Sequence, residues 1–225
     1  LRAAMLLLLA VPARAGWLEE FAAGKFAVVD LSHTMAVGMP SFSGQPGYLQ
    51  EKSAEYKRGF AMNSLLMLEH AGTHVDAPSH FAEGHPSMDA VPAKDLVVPA
   101  VVVDFRKRTA EDPNATLTVE DLVAWEKNLG RIPDGAVVIL WTGWSDRWND
   151  PDRYRNADSS GVLHFPGFSR AAADWLVKER KIAGVGTDTL SGDAGAATGP
   201  VVSSTNTFVA TSAEFPVHHL LNDRG

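Results

Sequence analysis

The chain contains no cysteine. That excludes a disulfide framework, a thiolate metal site and a thiol nucleophile. It says little about compartment, although it is compatible with an oxidising one. No Gly-x-Ser-x-Gly elbow occurs, so the serine chemistry built on that turn has no carrier. No basic patch stands out and the net charge is -7, which argues against nucleic acid as a partner. No stretch reaches the length of a membrane span. No internal repeat or linker divides the 225 residues, a comfortable length for one α/β domain.

The N-terminus carries an export pattern. Arg2 precedes the apolar run Met5 to Val11, and Pro12 with Ala13-Arg14-Ala15 forms a small-residue cleavage motif before Gly16. Residues 1–15 therefore read as the remnant of a signal peptide. The mature protein is expected to start near Gly16, to lie in the periplasm and to hold no membrane segment. The domain then covers residues 16–225.

The densest chemistry lies in His70-Ala71-Gly72-Thr73-His74-Val75-Asp76-Ala77-Pro78-Ser79-His80-Phe81. His70, His74, Asp76 and His80 all sit at even positions, so an extended chain points them to one face. A straight strand would spread them over about 30 Å, too far for one ion. The chain must bend, and Gly72 and Pro78 are where it can. A helical His-x-x-x-His site fits less well, since it would hold Gly72 inside the helix and stop before Pro78. Imidazole and carboxylate without thiolate suit Zn²⁺ or Mn²⁺. A carboxylate such as Asp76 can also bridge two ions, so one or two ions remain open.

Around this segment, strands and helices roughly alternate, which makes the class α/β or α+β. Strands are expected at Phe26–Leu31, within Phe60–Leu68 (a buried one delivering the chain to His70), after Pro99 to Phe105, at Ala136–Trp141 and at Ile182–Asp188. A short helix is expected over Trp17–Lys25. A capping box at Thr118–Asp121 starts another that stops at Gly130, and Ser169 caps one that runs to about Lys181. The Ser32–Gly47 loop shapes a pocket rim, with His33 as a candidate lining residue. The polar and aromatic segment Trp144–Pro166 reads as a lid or dimer-contact loop. Asp188, Ser191 and Asp193 either line the site or satisfy loop backbone.

The His70–Phe81 signature resembles that of the cyclase family of metal-dependent hydrolases, whose members include bacterial kynurenine formamidase and isatin hydrolase. Asp30-Leu31-Ser32-His33, Thr142-Gly143-Trp144, Phe165–Ser169 and Gly186–Asp193 are similar to further family stretches, so the resemblance runs from about Phe26 to Leu221. It implies a swivelling β/β/α fold and a homodimer. It implies that His70, His74 and Asp76 hold a divalent metal, with His80 a second-metal ligand or catalytic base. His218 matches a late histidine that returns to the site, and His219 matches it less well. In two-metal members a Glu follows that histidine; its position here would lie beyond Gly225, so the chain reads as truncated there or as lacking that ligand.

The ligand set suits hydrolysis of a small amide, formamide or cyclic amide by water activated at a divalent ion. His80 or His218 would take the water proton and return it to the leaving nitrogen, acting as catalytic residues. Aromatic side chains of the Met35–Tyr48 and Trp144–Phe165 loops, Trp144 among them, could pack a flat aromatic substrate. Alternatives are a metal-dependent cyclisation or dehydration, and a non-catalytic metal-binding protein on the same fold.

Overall fold

The computed structural model describes residues 16–25, 27–199, 201–204, 207–210 and 215–222. The proposed signal peptide remnant lies outside the described residues. The chain divides into two units, Leu1–Ser32 and His33–Gly225. In the first, helix α1 spans Gly16–Ala22. The strand expected over Phe26–Leu31 does not form: Phe26 lies outside the described residues, and residues 27–31 have no regular structure. Val28, Val29 and Leu31 are exposed, so among the described residues this β-branched run has neither a pairing partner nor a buried face to hold it as a strand.

The second unit opens with an antiparallel hairpin of β1 (Tyr48–Ala54) and β2 (Met62–Met67), with a register shift between Lys52 and Ala54. The sequence points to a buried strand here. The strand exists, but every β2 residue is exposed, including Leu65, Leu66 and Met67.

The body is a parallel three-stranded sheet. Strand β3 (Ala100–Asp104) leads into helix α2 (Arg106–Glu111) and a short strand β4 (Thr116–Leu117). Helix α3 (Val119–Leu129) begins with the expected capping box: Thr118 Oγ1 accepts from the Asp121 amide while Asp121 Oδ2 accepts from the Thr118 amide. Strand β5 (Val137–Trp141) lies between β3 and β7 (Gly184–Thr187), parallel to both. Its alternation is clear, with Val138 and Leu140 fully buried and Trp141 exposed. The triple valine of β3 forms the edge of the sheet instead, where only Val103 is buried.

Between β5 and β7 come helix α4 (Pro151–Arg155), the two-residue strand β6 (Gly167–Phe168) parallel to β4, and helix α5 (Arg170–Arg180), capped by Ser169. Leu122 of α3 and Ala172, Ala173 and Leu176 of α5 pack with Val103, Val138 and Leu140 of the sheet into the main core. Arg180 of α5 grips Glu126 of α3 through two hydrogen bonds of 2.6 and 2.8 Å and lies over Trp175. A hairpin of β8 (Val201–Ser204) and β9 (Thr207–Ala210) precedes helix α6 (Pro216–Asn222), whose Val217 joins the core. The architecture is mixed α/β with parallel and antiparallel sheets. Among the described residues no helix is long and apolar enough to cross a membrane.

The Trp144–Pro166 segment, expected as a lid or dimer-contact loop, is packed within itself. Trp144, Tyr154, Leu163 and Phe165 form a second buried cluster, a small core of its own beside the sheet.

Candidate metal centre

The histidine segment bends where its small and cyclic residues allow. Gly72 adopts φ +68, a left-handed conformation that side chains resist, and Pro78 opens a 3₁₀ turn that ends at His80. The two bends fold an otherwise extended run back on itself. His70 Nδ1 comes within 2.5 Å and His74 Nε2 within 3.1 Å of Asp76 Oδ1. The His80 ring lies against that of His70, centroids 3.7 Å apart.

The fifth group arrives from far along the chain. Helix α6 places His218 Nε2 3.3 Å from Asp76 Oδ2. Its position is set by Asp193, which is 1% exposed. The Asp193 carboxylate accepts the Val217 amide at 2.7 Å, the His218 amide at 3.2 Å and His218 Nδ1–H at 2.6 Å. It thus satisfies amides of the first turn of α6 and orients the ring that this turn carries. His74 is fixed in the same way, with Nδ1 2.9 Å from the carbonyl oxygen of Gly72. A carbonyl or carboxylate at Nδ1 holds the proton there and leaves the Nε2 lone pair facing the centre.

Ligand atoms of His70, His74 and Asp76 lie within 4.8 Å of one another, and so do those of Asp76, His80 and His218. Asp76 belongs to both groups: Oδ1 faces His70 and His74, and Oδ2 faces His218. Nitrogen and carboxylate donors without sulfur fit Zn²⁺ or Mn²⁺.

The electrostatics follow from the crowding. Burial works to raise Asp76, but hydrogen bonds from His218 and His74 and the neighbouring histidine charges outweigh it and hold the carboxyl well below its usual range. For His218 burial works downward and is overcome by Asp193 and Asp76, which push it up to about 9. His74 is also raised, chiefly by Asp76. His80 moves the other way, lowered by burial and by the charge of His70. A cation entering the cluster exchanges with protons that these groups hold.

All five residues line one cavity of about 840 Å³. Aromatic rings wall it: Phe42, Phe81, Trp148, Tyr154 and Phe215. Hydroxyl and amide groups of Ser41, Ser43, Gln45 and Ser191 supply polar points.

Of the residues expected to line the site, Ser191 does so. Trp144 does not: it is 1% exposed, and its indole N–H donates to the Tyr154 carbonyl at 2.7 Å. One 3₁₀ turn later, Trp148 takes the place at the cavity. Asp188 is structural; its carboxylate accepts the Thr142 amide, the Thr142 hydroxyl and the Ser145 amide, closing the turn after β5. His33 is not among the residues lining the cavity; its ring stacks on that of Trp148. Sequence reasoning left the role of Asp193 open, reached Phe42 and Trp148 only as aromatics of the Met35–Tyr48 and Trp144–Phe165 loops, and missed Phe81 and Phe215. Phe81 carried a signal, since it follows His80 directly in the signature.

Residues 29–194 match the model of the family described as "Putative cyclase". The chain belongs to that family. It is 32% identical over 213 residues to the isatin hydrolase of Roseibium aggregatum, an alignment covering 88% of this chain and 76% of that one. Isatin hydrolase A from Ralstonia solanacearum superimposes with a TM-score of 0.80 at 31% identity, covering 98% of this chain and 83% of the other. An isatin hydrolase bound to the product analogue thioisatinate superimposes with a TM-score of 0.78 at 30% identity, covering 92% and 80%.

Proposed function

We propose that the chain is a metal-dependent hydrolase that opens the C–N bond of a small amide, with a cyclic aromatic amide such as isatin as the leading substrate. The observation that carries this reading is the convergence of His70, His74, Asp76, His80 and His218 on one aromatic-walled cavity. His70, His74 and Asp76 would hold a divalent ion there, and the ion would supply a water of lowered pKa and an electrophile for the carbonyl oxygen.

The residues divide the remaining tasks. Asp76 presents an oxygen to each half of the cluster, the arrangement that one ion or two can use. His80, kept neutral at physiological pH by burial and the neighbouring charge of His70, accepts the proton of the attacking water. The same ring returns it to the departing nitrogen, which leaves as a neutral amine; the carbonyl carbon becomes a carboxylic acid, whose remaining proton passes to solvent to give the carboxylate. His218, oriented by Asp193, holds its Nε2 toward the reacting region. The rings of Phe42, Phe81, Trp148 and Phe215 favour a flat substrate over a flexible one.

Exposed apolar side chains on both faces of the β1–β2 hairpin support a homodimer as the working form. Leu65, Leu66 and Met67 are 58%, 69% and 47% exposed, a density of apolar surface that monomers rarely leave in water. Leu49, which pairs with Leu66, and Leu68 just beyond the hairpin line the cavity, so a partner covering the Leu49–Leu66 face sits beside the site.

The test is metal content combined with turnover of isatin and N-formylkynurenine, before and after chelation and after return of Zn²⁺ or Mn²⁺. Turnover that disappears with the metal and returns with it is expected. Turnover indifferent to chelation overturns the proposal. Bound metal without turnover favours a non-catalytic metal-binding protein.

A further inference from the structure

His33 and Trp148 form a closely matched ring pair in the second unit, and the reaction outlined above assigns His33 no role. Their centroids are 4.2 Å apart with an interplanar angle of 7°. The other contacts of the pair reach in two directions. The backbone N–H of His33 donates to Thr73 Oγ1 at 3.0 Å, between the ligand residues His70 and His74. Trp148 meets Tyr154 edge-on at 5.3 Å, and the Tyr154 hydroxyl donates to the Asp188 carbonyl at 2.9 Å. A continuous path thus runs from the histidine segment through His33 to Trp148 and Tyr154, two walls of the cavity.

We propose that His33 is a positioning residue for Trp148. Its imidazole covers one face of the indole and holds the rest of that ring as a flat wall at a fixed distance from the metal-ligand segment. The consequence is specificity: the width available to a planar substrate is set by a histidine that never touches it. The part concerning substrate rests on the hydrolase reading above, whereas the part concerning the ring pair does not.

Two measurements on the full chain separate these parts. The first compares wild type, His33→Ala and His33→Phe for isatin turnover with the metal bound. Loss of one stacked pair should raise KM for isatin by about threefold to tenfold in His33→Ala. The value of kcat should stay within about twofold, because the proton-transfer groups are untouched. His33→Phe keeps a ring on the indole and should restore most of the KM. Equal losses in both variants, or a fall in kcat with KM unchanged, overturn the assignment.

The second measurement is the indole N–H resonance of Trp148, identified by its disappearance in Trp148→Phe. It should shift in His33→Ala and move back toward the wild-type position in His33→Phe. A resonance unmoved by His33→Ala overturns the proposal whether or not isatin is a substrate. If wild type fails to hydrolyse isatin while this resonance behaves as expected, the substrate reading fails and the positioning role stands.

Discussion

Replacing Asp193 by Asn tests how much of the centre depends on one buried carboxylate. Asp193 accepts three hydrogen bonds, from the Val217 amide, the His218 amide and His218 Nδ1–H. Asparagine keeps a single oxygen. If that oxygen stays with Val217, the NH₂ group faces two donors of His218 and the ring contact is lost. A hydrogen bond to a charged group contributes about 1.5–3 kcal/mol. Loss of the group that orients a metal-facing histidine weakens metal affinity by about 10–100-fold, or about 1.4–2.7 kcal/mol. The two estimates agree in size. For a chain of this length each kcal/mol lowers Tm by about 2–4 °C, so a fall of about 3–12 °C should accompany the change. The assay is competition for Mn²⁺ or Zn²⁺ against a chelating dye in wild type, Asp193→Asn, His218→Ala and the double variant. Asp193→Asn should weaken binding in the wild-type background and add little once His218 is gone. Equal losses in both backgrounds, or none in either, would refute the idea that Asp193 acts through His218.

Three other outcomes are expected. His80→Ala should retain metal by elemental analysis and lose about 10²–10⁴-fold in turnover; in wild type, because His80 lies below the ordinary 6.5, its base form persists into mild acid and the acidic limb of kcat/KM should fall below that value, rising with pH as the proton leaves. Gly167→Ala should cost about 1–3 kcal/mol or more in thermal unfolding, since a Cβ there would meet the Ala194 amide and approach backbone atoms of Asp193 and Gly192 at 2.6 and 2.7 Å, displacing the loop that carries Asp193. Leu66→Glu, at a position 69% exposed, should change monomer stability by less than about 0.5 kcal/mol yet lower the mass seen by analytical ultracentrifugation from dimer to monomer; an unchanged mass removes β2 from the interface.

Local chemistry explains which parts of this molecule could be read in advance. The spacing of His70, His74, Asp76 and His80, with Gly72 and Pro78 as bends, is contained in one short stretch. The caps at Thr118 and Ser169 are likewise complete within four residues. Distant partners decide the rest. Asp188 and Asp193 occupy the same loop and look alike, but the first meets the end of β5 and the second meets α6. Trp144 and Trp148 sit one turn apart, and only the packing of Tyr154, Leu163 and Phe165 determines which of them turns inward. The apolar run of β2 reads as buried because hydrophobicity alone does not distinguish a protein's interior from an exposed strand. The valines of Phe26–Leu31 favour extension, but a strand also requires a neighbour.

The contribution of His218 from the late helix α6, opposite residues clustered before position 81, has a consequence for biosynthesis. Four donors can meet as soon as the early segment bends, but the fourth imidazole cannot join them until the whole sheet and its crossovers have been made and closed. Under the proposed function, a nascent or misfolded chain would hold a cation loosely without presenting a competent reaction centre, and completion of the fold would be the step that licenses chemistry.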